Sequence, residues 1–144
     1  MYISGLRTKA MLHVSSKFEV SEVCNIPAGA HNAQPYRDGV LVNDTKSDAV
    51  RYSGRDGTNK AFGIVSYDEK DIEFAGIDDS KIARQGFGRG LCPVGERLVA
   101  GGSSPSTVTL YDIDSETVIA SVNLTMDIRN AIHGLEVWPY DDPA

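Results

Sequence analysis

Apolar and polar residues alternate along this chain in short runs, and each run is cut by a cluster of turn-forming residues. Val40-Leu41-Val42-Asn43, Arg97-Leu98-Val99-Ala100, Val108-Thr109-Leu110-Tyr111 and Val118-Ile119-Ala120-Ser121-Val122 hold the β-branched and aromatic residues that suit a pleated surface. Between and before them stand Arg37-Asp38-Gly39, Gly101-Gly102-Ser103-Ser104-Pro105 and Asp112-Ile113-Asp114-Ser115-Glu116. These carry the Gly, Pro, Asp and Ser of tight turns, and Asp-Gly is a strong hairpin signal. The 3.6-residue period of an amphipathic helix is nearly absent. One short candidate, residues 79–85, runs into a glycine-rich stretch. The pattern predicts an all-β chain built as a meander of antiparallel hairpins.

The meander repeats. His31-Asn32-Ala33-Gln34-Pro35 overlays Arg89-Gly90-Leu91-Cys92-Pro93 and His133-Gly134-Leu135-Glu136-Val137. The spacing is 58 residues from position 31 to 89 and 44 from 89 to 133. The second is the length of a four-stranded propeller blade, about 40–50 residues. The first exceeds it by an insertion, most simply within the acidic stretch 67–79. Four strands are expected at 90–94, 97–102, 107–113 and 117–123, with the same set in 31–75. Residues 1–8, 10–15 and 18–26 read as the second, third and fourth strands of an earlier blade, and 133–139 as a lone first strand.

The chain is therefore expected to be a single β-propeller segment of about three four-stranded antiparallel blades. Residues 1–30 form a partial blade, 31–88 a blade with an insertion, 89–132 a third, and 133–144 start the next. Closed propellers usually hold four to eight blades, so three would leave blade faces and a sheet edge open. Two readings satisfy those surfaces: the remainder of a longer propeller, which is preferred, or self-association of two copies into a six-bladed ring. In the ring, 133–139 of one copy would pair with 1–8 of the other. The same strands could also form a compact β-sandwich.

At HNAQPYRDGVLVNDT (31–45), GRGLCPV (88–94) and GLEVWPYDD (134–142) the chain resembles an uncharacterised group of propeller proteins. In architecture it is similar to the gluconolactonase-like and NHL-type propellers. The gluconolactonase-like resemblance implies a divalent cation in the central channel, held by Glu, Asn and Asp from different blades, of which this sequence offers partial candidates. The Trp-Asp that closes the third strand in WD40 blades is missing, with Tyr111-Asp112 in the analogous place.

Composition narrows the partners. The 144 residues carry 14 Lys and Arg against 20 Asp and Glu, a formal net charge of -6. That balance gives no global pull toward phosphate backbones or anionic membranes, so neither nucleic acid nor membrane is an expected partner. No apolar run nears the roughly 20 residues that span a bilayer, and no signal peptide opens the chain, so the expected compartment is the cytoplasm. Cys24 and Cys92 stand far apart and read as reduced thiols. The sequons at Asn43 and Asn123 read as chance matches in such a protein.

The repeat places His31, Arg89 and His133 equivalently, at the start of each first strand, the strand that lines a propeller channel. They could grip a small anionic ligand with Asn32, or serve as structural hydrogen-bonding groups. Asn43, Asp44 and Glu136 supply oxygen ligands suited to a divalent cation such as Ca or Mn, although Asn43-Asp44 is also ordinary turn chemistry. Trp138, Tyr140 and Phe87 could stack on a sugar or fill gaps between blades. His13 reads as a surface or packed residue. Gly86-Phe87-Gly88-Arg89-Gly90 precedes a strand rather than a helix, which disfavours a phosphate loop, and Gly101-Gly102-Ser103-Ser104 lacks nucleophile-elbow spacing. Asp78-Asp79 and Asp141-Asp142 read as solvated charges. Two functions are compatible with these residues: a non-catalytic binding or assembly propeller, or a metal-dependent hydrolase or lyase working in the channel.

Overall fold

A computed structural model describes residues 1–5, 7–76 and 84–140. The described chain is all-β, with three antiparallel sheets in sequence order. The first sheet holds β1 (Tyr2–Ile3), β2 (Ala10–Val14) and β3 (Val20–Asn25). The second holds β4 (Ala30–Tyr36), β5 (Gly39–Asp44), β6 (Ala49–Gly54) and β7 (Asn59–Gly63). The third holds β8 (Phe87–Pro93), β9 (Leu98–Ser104), β10 (Thr107–Asp112) and β11 (Thr117–Asn123). In each sheet the strands lie in chain order, every neighbour joined by a hairpin.

The sheets stack face to face, and period-2 alternation decides what each face buries. Met11, Ile26, Ala30, Val40 and Val42 form the core between the first and second sheets. Leu41, Val50, Tyr52 and Phe62 meet Leu91, Val99, Tyr111 and Ile113 between the second and third. Val40 and Val42 thus point one way from β5 and Leu41 the other, which explains the unbroken apolar run. The edge strands β4 and β8, each the first of its sheet, touch each other, so the two four-stranded sheets are stacked in phase.

Turn chemistry fixes the hairpins. The β4–β5 connection is the two-residue Arg37-Asp38, with Arg37 at φ 51°. Gly39 already belongs to β5, where a Cβ would lie 2.2 Å from the Ser53 carbonyl oxygen, so glycine here serves close backbone approach. In the β10–β11 turn the Asp112 carboxylate accepts from the Asp114 and Ser115 amides and pairs with Arg97 at 2.6 Å. Those donors hold the Asp112 carboxyl below the usual range.

Three expectations are corrected. The turn read at 101–105 is shorter: Gly101–Ser104 belong to β9, which covers most of the strand expected at 97–102 and runs two residues past it, and the chain reverses at Pro105-Ser106. The glycines clear space instead, since a Cβ on Gly101 would lie 3.0 Å from the Tyr111 ring and one on Gly102 2.6 Å from Ile132. Residues 1–8 contain only the two-residue β1. Residues 133–139 form no strand, because no described strand pairs with them; they lie instead on the third sheet, where Ile132 and Leu135 pack on Gly90 and Gly102.

The connection from β7 to β8 carries the extra length of the second unit. Its described part contains a 3-10 turn at Glu69–Asp71 and meets the chain after β11 through a bridge between Glu73 and Asp127. Arg129 locks that junction, binding the Asp127 carboxylate at 2.6 Å and lying 3.8 Å from the Phe74 ring centre. Asp78-Asp79, most of the helix candidate 79–85, and Asp141-Asp142 lie outside the described residues. Among the described residues no helix is long and apolar enough to cross a membrane.

Candidate functional site

His31 and Arg89 both stand at β-bulges in the first strand, an edge strand, of their sheets. The β4–β5 register slips between His31 and Gln34, and the β8–β9 register slips between Gly88 and Gly90. A bulge re-aims a side chain out of the ladder, which is how such positions become available for binding. Asn32, inside the first bulge, is exposed and holds φ 53°, a left-handed geometry that Asn tolerates better than most residues.

The Arg89 bulge is clamped from both sides. Asn43, fully buried, donates from Nδ2 to the Gly90 carbonyl at 3.2 Å. A Cβ on Gly88 would meet Asn43 Oδ1 at 2.8 Å, and one on Gly90 would meet the Ile132 carbonyl oxygen at 3.0 Å. Only glycine fits beside Arg89, and the clamp fixes where its side chain emerges. The guanidinium lies over the Phe87 ring at 4.1 Å, so Phe87 packs as its platform. Arg84, at 5.2 Å from the same ring, pairs with Asp48 at 2.5 Å.

Arg89 differs from the other half-buried arginines. Arg51 and Arg84 bind Asp44 and Asp48, whereas Arg89 has no carboxylate partner among the described residues. Burial pushes its pKa down. His31 is also pushed down, first by burial and then by the positive charge of Arg89. The Arg89 charge therefore sits in a partly desolvated corner beside a His31 held toward its neutral form, with no carboxylate among the described residues to balance it.

The remaining sequence-derived candidates scatter. Asn43 and Asp44 are consecutive on β5, so they project to opposite faces: Asn43 toward the third sheet, Asp44 into an ion pair with Arg51 at 3.1 Å. Glu136 is exposed and beside Cys92, whose thiol its charge helps raise after burial. His133 is exposed, on the segment that crosses Gly90. Asn43, Asp44 and Glu136 are not gathered, and among the described residues no three of His, Cys, Asp and Glu converge where a metal ion could be held. His13 stacks on Tyr2 at 5.0 Å, and Trp138 on Tyr140 at 5.0 Å, both near the surface. Cys24 and Cys92 are free thiols.

The sequence reading missed an open cleft of about 980 Å³ at the opposite end of β4 and β8, lined by Pro35, Arg37, Pro93, Glu96 and Val137 among others. Pro35, Pro93 and Val137 close the three overlaid segments, so the repeat contained the signal. Its polar groups satisfy one another: Tyr36 and Arg37 donate to the Glu96 carbonyl, and Arg37 pairs with Asp114 at 2.7 Å. Comparison with protein-family models, with curated proteins and with solved structures found no match.

Proposed function

We propose that the chain is an arc of a β-propeller acting as a non-catalytic binding module, and that it takes a small anionic ligand at His31 and Arg89. The observation that carries this reading is the half-buried guanidinium of Arg89 beside His31, with no carboxylate partner among the described residues. A buried charge is costly unless paired, so an anion that supplies the missing charge gains more here than at a solvated arginine. A planar guanidinium held on an aromatic platform has two parallel donors to offer a carboxylate or phosphate. Asn32 adds an exposed amide at the neighbouring bulge. The propeller reading draws support from the in-phase stacking of four-stranded meanders and from the place of both bulges on the first, edge strand of each. No acid–base pair is needed for this function.

The test is calorimetric titration of the full chain with inorganic phosphate and with sulfate at low ionic strength. Binding that weakens about tenfold or more in Arg89→Gln is expected, since one charge-assisted pair is lost. Absence of binding, or binding indifferent to both Arg89→Gln and His31→Gln, would overturn the proposal.

A further inference from the structure

The second and third sheets superimpose ladder by ladder. The cross-strand row His31, Asn43, Val50, Phe62 corresponds to Gly90, Gly102, Val108, Val122. The row Gln34, Leu41, Tyr52, Lys60 corresponds to Cys92, Ala100, Leu110, Ala120. In the second sheet this face is covered by the third. In the third sheet it is open beyond Gly102, with Val108, Leu110 and Ala100 half-buried and Val122 54% exposed.

The chain also contains both halves of a missing contact. Segment 132–137 lies against Gly90 and Gly102 of the third sheet as β8 lies against Asn43 of the second, and among the described residues it has no strand to pair with. Leu135 faces Gly90 as Leu91 faces the second-sheet core and Ala33 the first. Conversely, β5 and β9 are flanked by β4 and β8, whereas no strand among the described residues pairs with the edge of β1 away from β2. The outward face of the first sheet carries Ile3, Leu12, Val14 and Val20, with Ile3 and Val20 well exposed and the exposed Glu22 beside Leu12 at its rim.

We infer that a second copy of this chain supplies that contact. Its first sheet packs by its Ile3–Leu12–Val14–Val20 face on the Val108–Leu110–Val122 face, and segment 132–137 joins the β1 edge of the other copy as its innermost, antiparallel strand. The contact is head-to-tail, and two of them related by a two-fold axis close a ring of six sheets. The register is set by the turns. Phe18 and Glu116, both at positive φ, close the β2–β3 and β10–β11 turns, so His13 stands where Leu110 and Tyr52 stand. Tyr2, opposite His13, then stands where Leu41 stands opposite Gln34, and its partner across the copies is Glu136.

Light scattering of the full chain is expected to give twice the chain mass. Val122→Glu, at a position that tolerates charge in the isolated chain, raises the dimer Kd by about tenfold or more with an unchanged circular dichroism spectrum. In a Cys24→Ser, Cys92→Ser background, mixing chains bearing Tyr2→Cys with chains bearing Glu136→Cys gives a disulfide-linked heterodimer on oxidation, because directly opposed strand residues have suitable Cα separation. A monomeric wild-type chain, an open series of larger assemblies, mass unaffected by Val122→Glu, or no cross-link would each overturn the inference.

Discussion

The forward faces of the second and third sheets hold equivalent positions and have different fates. On the second sheet, Leu41, Val50, Tyr52 and Phe62 are all buried, none more than 4% exposed. On the third, the matching Ala100, Val108, Leu110 and Val122 are apolar too, yet the last is more than half exposed. Apolar character at these positions is thus set by place in the repeat, and burial is set by whether another sheet lies against the face. The residues also shrink, from Leu, Asn and Tyr to Ala, Gly and Leu. Small residues near β8 let segment 132–135 approach the sheet backbone, and they lessen the apolar area left in water.

That comparison breaks first where burial differs most. Leu41→Ala removes a side chain packed between two sheets and is expected to cost about 2–5 kcal/mol, from lost transfer energy and a residual cavity. Leu110→Ala, at the equivalent place for Tyr52, is expected to cost less than about 1 kcal/mol in the dissociated chain, since little packs on it. Urea unfolding of both variants at low protein concentration measures the difference. Similar losses would mean that the third sheet's face is already covered within one chain.

A smaller effect separates the two clamps. Gly88→Ala sets a methyl 2.8 Å from Asn43 Oδ1 and 2.9 Å from the Ile64 methyl, inside a contact between two hydrogen-bonded sheets. Neither neighbour can retreat easily, and a loss of about 1–3 kcal/mol is expected. Gly102→Ala sets a methyl 2.6 Å from Ile132, which belongs to a segment held on one side only. That segment can lift, so global stability falls less while Cys92, now 4% exposed beneath it, becomes reactive. Thiol labelling in native buffer reads this directly. Unchanged Cys92 reactivity in Gly102→Ala would mean that the segment is as firmly seated as β8.

Much of the fold was legible in the sequence, because hairpins advertise themselves. β-branched runs between Asp, Gly and Ser clusters located β5, β9, β10 and β11, while the 58-residue overlay paired His31 with Arg89, one position from its ladder equivalent Gly90, because the two bulges fall on opposite sides of that row. Glycine misled the reading of 101–104, since a glycine pair signals a turn as readily as close packing beneath Tyr111 and Ile132. Segment 133–139 has strand-like composition, but a strand is a relation between two segments, and composition cannot supply the second. The candidate site was legible as positions and not as geometry. Period-2 alternation alone separates Asn43 from Asp44, yet only the stacking direction says that Asn43 reaches Gly90.

The smallest expected effect tests whether His31 and Arg89, each beside a bulge, are electrically coupled. Burial and then the Arg89 charge lower the His31 pKa from its ordinary 6.5. The unfolded chain therefore binds a proton at higher pH than the folded chain. The stability that neutral His31 contributes is fully present above pH 6.5 and is lost as pH falls from there through the folded pKa. NMR titration of the His31 imidazole, assigned with His31→Gln, measures this directly. Arg89→Gln should raise the midpoint only part of the way to 6.5, because burial is the larger cause. Inorganic phosphate should raise it in the wild-type chain, since a bound anion favours the imidazolium, and should raise it much less in Arg89→Gln. A midpoint indifferent to Arg89→Gln would place the two side chains too far apart to share a ligand.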